Sequence, residues 1–227
     1  MDFPGWDREA FAAMEVAGFS QRMEAIRTRV RPKLQAIAQQ LAPELSRRMG
    51  VPLHPHVAQH ARRTVNPPED TWCAWSPSRT GYKKHPHFQL GIRADHVYVQ
   101  AGAITEAPFR PQLAELLLEE GPALRASLPQ GALWKEDHTS PHGIPTADLT
   151  DDDLHRLAGG LRRKSRGDFM VALHWPRETA LALPPQAFLQ QALEALQQLR
   201  PVWELARRAA QQQPASGAAR ARSRGGT

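Results

Sequence analysis

The chain has a single cysteine, Cys73, among 227 residues. It can form neither an intramolecular disulfide nor a CxxC metal pair, so folding needs no oxidising compartment and a cytoplasmic setting is the expectation. No apolar run reaches membrane-spanning length. The opening MDFPGWDREAF carries acids where a signal peptide has a basic segment and an unbroken apolar core, so no membrane association is expected. Nucleotide signatures are missing as well. Neither GxxxxGK[ST] nor GxGxxG occurs, and no serine stands in a GxSxG elbow, so nucleoside triphosphates, dinucleotides and serine-hydrolase chemistry have no motif behind them.

Acids are missing from one segment in particular. Residues 211–227 carry Arg220, Arg222 and Arg224 but no Asp or Glu, so half of the formal charge of +6 lies there. The tail is rich in Ala, Gly and Arg and lacks the apolar residues a fold requires, so disorder is expected from 211 onward. Residues 1–210, with apolar content of 41% over the whole chain, are expected to form one domain.

From Ser20 to Arg48, Met23, Ile26, Val30, Leu34, Ile37, Leu41 and Leu45 recur every three or four residues, one face of a helix. Pro32 and Pro43 predict a kink or split, and Gly50 an end. Between Leu53 and Ile104 the texture changes to short segments separated by turn residues. Strands are expected at Leu53–Thr64, Thr71–Trp75, His87–Ile92 and His96–Ile104, joined mainly as an antiparallel meander. Helical spacing returns at Phe109 to Leu117. After a Gly/Pro-rich loop, Thr150 is expected to cap a helix that opens on three aspartates. Phe169–Trp175 reads as a further strand, and Phe188 to Trp203 as a helix interrupted at Pro201. The pattern implies an α+β single domain, a largely antiparallel sheet covered by helices.

The stretch from His54 to Gly91, HPHVAQHARRTVNPPEDTWCAWSPSRTGYKKHPHFQLG, holds five of the ten histidines. Histidines, cations and aromatics packed this closely suit an anionic ligand, without spelling out a reaction. His56-Val57-Ala58-Gln59-His60 superficially resembles the HExxH zinc motif, but Val57 stands where the glutamate base is required. No metal or cofactor is expected. As a strand, the segment would instead align His54, His56, His60 and Arg62 on one face, either a ligand-binding ladder or a merely hydrated sheet face. Arg62 and Arg63 precede the rigid turn Asn66-Pro67-Pro68, and guanidinium forks match phosphate or carboxylate oxygens. Lys83 and Lys84 follow Gly81, where backbone can approach a ligand. Trp72 and Tyr82 among these cations could stack on a base, whereas Trp75 and Cys73 are expected in the core. Downstream, His138 is a second candidate acid or base. Its neighbour Asp137 is poorly placed to orient it, and Glu106 is an alternative carboxylate.

The runs His56–Trp72 (HVAQHARRTVNPPEDTW), Gly81–Ile92 (GYKKHPHFQLGI), Arg22–Leu34 (RMEAIRTRVRPKL) and Asp137-His138-Thr139 resemble the YktB family of bacterial proteins, a family of unknown function. The resemblance spans about Phe3 to Trp203. His85 stands where the family usually has an apolar residue, and the Arg-rich tail is extra. It implies a single α+β domain in a soluble bacterial protein and brings no activity or catalytic residue with it. The leading expectation is therefore a binding protein for a phosphorylated metabolite or nucleic acid. His60, Arg62, Arg63, Asn66, Trp72, Tyr82, Lys83, Lys84, His87 and His138 are its candidate site. The alternatives are a hydrolase with a histidine acid/base and arginine charge stabilisation, or a scaffold for unknown protein partners.

Overall fold

A computed structural model describes residues 2–61, 63–163 and 167–213. Candidate residue Arg62 and the tail beyond Gln213 lie outside the described residues. After the short α1 (Arg8–Ala13), the long apolar ladder folds as α2 (Phe19–Ala25), a π-helical turn (Ile26–Val30) and α3 (Arg31–Met49). The break falls at the π turn. Pro32 occupies the first turn of α3, where no amide partner is needed, and Pro43 is absorbed inside α3. Gly50 ends α3 in the left-handed region at φ 70°.

Among the described residues, seven strands form one sheet in the order β1-β2-β3-β4-β7-β5-β6. They are β1 (His54–Val57), β2 (Thr71–Ser76), β3 (His87–Ile92), β4 (His96–Ala103), β5 (Leu133–Lys135), β6 (Ile144–Pro145) and β7 (Phe169–Pro176). Every neighbouring pair is antiparallel. The first four make the expected meander; β5 and β6 come from the Gly/Pro-rich loop and were not expected. The remaining helices are α4 (Arg110–Ser127), α5 (Asp151–Arg162), α6 (Arg177–Ala182), α7 (Pro185–Gln198) and α8 (Arg200–Gln211). Thr150 and Asp153 cap α5 reciprocally, and α7 and α8 divide just before Pro201.

The expected strand Leu53–Thr64 is much shorter in the fold. Pairing with β2 ends at Val57↔Cys73, followed by one last bond from Ala58 N to Trp72 O. His60 then takes a left-handed conformation, φ 51°, which no extended strand tolerates. The His-Arg ladder therefore does not form.

Alternation in the sheet sorts its two faces. Cys73, Trp75, Phe88, Leu90, Val97, Val99, Phe169 and Val171 pack with the helices in the main core. Trp75 is fully buried and donates its indole N–H to Ala38 O. The opposite face carries Trp72, His87, Gln89, His96, Tyr98, Gln100 and Lys135, all buried as well. Loops rather than helices cover them. Among the described residues no helix is long and apolar enough to cross a membrane.

Candidate functional site

The loop-covered face is a polar layer crossed by a row of hydrogen bonds, although His96 Nε2 within it is buried without a partner. Lys135 Nζ donates to Gln100 Oε1 (3.1 Å), Gln100 Nε2 to Gln89 Oε1 (2.6 Å), and Gln89 Nε2 reaches His87 Nε2 (3.0 Å). His87 Nδ1 in turn lies 2.8 Å from His85 O. Read in one direction, each group donates to the next, which requires His87 to be neutral. Burial holds it neutral by pushing its pKa down to about 4. Burial also lowers Lys135 to about 8, against the pull of Asp70. Beside this row, Tyr98 donates to Asp70 (3.0 Å). Burial raises the Asp70 carboxyl above its ordinary value, with Arg93 opposing.

This layer fastens the loop after β5. Arg93 donates to Thr139 O (2.9 Å), while Lys135 and Gln100 both donate to His138 O (3.3 and 3.2 Å). On the other side of the same residue, Asp168 Oδ2 accepts from His138 N (2.9 Å) and from His138 Nδ1 (2.6 Å). Asp168 Oδ1 accepts the Thr105 amide and hydroxyl, both at 2.7 Å. Burial alone would raise Asp168, but the bonds from His138 and Thr105 outweigh it and hold the carboxylate at about 2. An ionised Asp168 requires a proton on His138 Nδ1, which leaves Nε2 as the end of the ring not engaged by the carboxylate.

The His138 ring forms part of the wall of a cavity of about 430 Å³, lined also by His60, Arg63, Trp72, Tyr82, Lys83 and Thr139. Trp72 stands at the centre, its ring perpendicular to both His60 (5.4 Å between centroids) and His138 (5.7 Å). Its indole N–H donates to the Tyr82 hydroxyl at 3.0 Å. His60 bonds Thr71 Oγ1 through Nε2 (3.1 Å). Burial first, then the charges of Arg63, Arg31 and Lys83, lower its pKa to about 4. A larger hollow of about 580 Å³ lies between the end of α3 and β1. Its walls are mainly apolar, with Ser46, Arg47 and His54 as the polar residues among them.

Six sequence-derived candidates thus meet at one cavity: His60, Arg63, Trp72, Tyr82, Lys83 and His138. Three others do not line it. His87 belongs to the polar layer, touching the cavity only through the Tyr82 ring at 5.0 Å, while Asn66 and Lys84 are exposed. Glu106, considered as a partner for His138, instead faces Lys83 at 3.3 Å. Asp137 caps Thr139. The carboxylate that holds His138 is Asp168, which no motif in the sequence marks. Lys135, Gln100 and Gln89 were also missed, although alternation in His87-Phe88-Gln89-Leu90 and Tyr98-Val99-Gln100 places the two glutamines on one face.

Asp137, His138 and Asp168 bring potential metal-ligating atoms within 4.8 Å of one another. Asp168 already accepts four hydrogen bonds, and Asp137 Oδ1 accepts two. A cation would have to displace these donors beside a buried lysine, so the trio fits an oriented histidine better than a metal centre.

Residues 6–203 match the family model of a domain of unknown function, DUF1054. A UPF0637 protein of Lysinibacillus sphaericus is 36% identical over 200 residues, 88% of this chain and 94% of the relative. A UPF0637 protein of Oceanobacillus iheyensis is 35% identical over 202 residues, covering 89% and 96% of the two chains. One of Bacillus cytotoxicus is 34% identical over 198 residues, covering 87% and 95%. In line with its resemblance to YktB, the chain belongs to the DUF1054 family, an uncharacterised bacterial family.

Proposed function

We propose that this protein binds a small anionic ligand in the cavity around Trp72. The observation that carries this reading is the convergence of Arg63, Lys83, His60 and His138 on one concave site of about 430 Å³, a volume suited to a metabolite. Cations supply the field, and two imidazoles supply directed hydrogen bonds. A phosphorylated metabolite suits the site better than nucleic acid. Trp72 is only 7% exposed and perpendicular to both neighbouring imidazoles, so it is no flat platform for a base. A cytoplasmic location, where such metabolites abound and Cys73 stays a thiol, belongs to the same proposal.

The Asp168–His138 pair favours a second reading, a hydrolase. A histidine that lines a cationic pocket with Nδ1 held by a carboxylate is equipped to accept a proton from water, while Arg63 stabilises developing negative charge. A protein-interaction scaffold has no comparable observation in its favour.

Thermal-shift measurements with nucleotides, sugar phosphates, oligonucleotides and divalent metals test the binding reading, because a ligand of the native state raises the melting temperature. The expected result is a shift with a phosphorylated small molecule that disappears in folded Arg63→Ala and Lys83→Ala variants. A shift that survives both substitutions, or none with any anion, would count against the pocket. Turnover lost in His138→Ala with ligand affinity kept would establish the hydrolase reading.

A further inference from the structure

The lining of the cavity sorts into groups that donate hydrogen bonds and groups that only accept them. In the dipeptide His138-Thr139, two aspartates take every donor. Asp168 Oδ2 accepts the His138 amide (2.9 Å) and Nδ1–H (2.6 Å), and Asp137 Oδ1 accepts the Thr139 amide (2.8 Å) and hydroxyl (2.7 Å). The carbonyls are engaged as well: His138 O receives Lys135 and Gln100, and Thr139 O receives Arg93. A neutral His138 ring then has only the Nε2 lone pair to offer, and the Thr139 side chain only the lone pairs of Oγ1. Both residues line the cavity. Any side-chain hydrogen bond they make to its occupant is therefore made as acceptor.

Elsewhere the lining has the opposite polarity. Arg63 and Lys83 carry donors and no acceptor on their side chains. Tyr82 Oη already accepts the Trp72 indole N–H at 3.0 Å, while its own hydrogen has no acceptor among the described residues. An anion answers these donors. At His138 and Thr139, however, its oxygens would set lone pair against lone pair, and acceptors stripped of water without a donor in return cost binding free energy.

Resting on the anion-pocket reading, we propose that the ligand is a hydroxylated phosphomonoester, whose carbon skeleton carries a hydroxyl that donates to His138 Nε2 or Thr139 Oγ1. Its phosphate is held by Arg63, Lys83 and the Tyr82 hydroxyl. A hydroxyl supplies the missing donor without adding positive charge to a cavity that already contains two cations. Asp137 and Asp168 are positioning residues here, because they set the polarity of the dipeptide by consuming its donors.

The test is calorimetric titration of the full chain at about pH 8, where ordinary imidazoles are neutral and phosphomonoesters dianionic. The probes are α-glycerophosphate and n-propyl phosphate, which share a carbon skeleton and charge and differ in the hydroxyls. α-Glycerophosphate is expected to bind at least about tenfold more tightly, the effect of a hydrogen bond that the analogue leaves unmade. Thr139→Val and His138→Ala should each cut that preference about threefold or more with n-propyl phosphate unchanged, and Thr139→Ser should keep it. Arg63→Ala should weaken both probes alike. Should the first two variants fail to fold, Asp137→Ala at an exposed position frees the Thr139 donors and should narrow the preference in the same way. Equal binding of the two probes would overturn the hydroxyl requirement and leave the anion pocket standing. A preference that survives in every folded variant of Asp137, His138 and Thr139 would overturn the assignment to this dipeptide. Binding of neither probe would overturn the hydroxylated phosphate class, and the pocket would then be judged by the wider panel of anions.

Discussion

At the scale of single residues, Asp168 carries most of the site's organisation. Its two oxygens receive four hydrogen bonds from His138 and Thr105. Asp168→Asn keeps the shape but turns amide hydrogens toward donors already there. Unfolding in urea should show a loss of about 3 kcal/mol; a change within about 0.5 kcal/mol would mean that these bonds contribute little. The ionisation of this layer also sets the acid response. His60 and His87 are lowered to about 4 and His174 to about 3 from an ordinary 6.5. For His174, burial and then the stacked His96 ring, 4.3 Å away, disfavour its charged form. Unfolding frees these rings to take up protons that the fold refuses. Their contribution is complete above pH 6.5 and is lost as pH falls through 6.5 toward 4 and then 3. The stabilisation by Asp168 is lost lower, between 3.8 and about 2. The melting temperature should therefore fall steadily from neutrality to pH 4, before most carboxylates protonate. A flat profile over that interval would show that the rings are solvated.

At the scale of elements, what the sequence discloses depends on how far each signal reaches. Period-two alternation is local, so His87–Ile92 is legible to the residue and His96–Ala103 nearly so. A capping box is local too, and Thr150 was recognisable. The strand expected to run on to Thr64 failed because alternation continues in Ala58-Gln59-His60 although no partner strand extends beside it. Pairing is a property of β2, which begins only at Thr71. For the same reason β5 and β6, three and two residues long, carry no period to detect. Both edge strands contain proline, Pro55 in β1 and Pro145 in β6, which blunts the open edges of the sheet against pairing with another chain. Inside the sheet, Gly91 faces Tyr98 across the register, and a methyl group there would collide with the phenol ring. Gly91→Ala should displace Tyr98 from Asp70 and lower stability by about 1–3 kcal/mol, read by thermal unfolding. An unaffected melting temperature would mean the ring moves freely.

At the scale of the whole molecule, the two faces of one sheet divide the work. The helix-covered face supplies the apolar core, and the loop-covered face supplies a hydrogen-bonded polar layer that holds His138 and backs the cavity. The sequence shows which residue types gather between His54 and Gly91, and six of its ten candidates do line the cavity. It could not show Asp168, thirty residues beyond the histidine it orients. That pairing depends on tertiary placement. The central claim is that His60 and His138 flank a single anion site, and imidazole ¹⁵N resonances of the labelled full chain test it most directly. During titration with phenyl phosphate and other small anions, His60 and His138 should shift together and saturably for at least one ligand, while exposed His155 stays fixed. If no anion shifts the two saturably, or they respond no more than His155, the cavity is not an anion site.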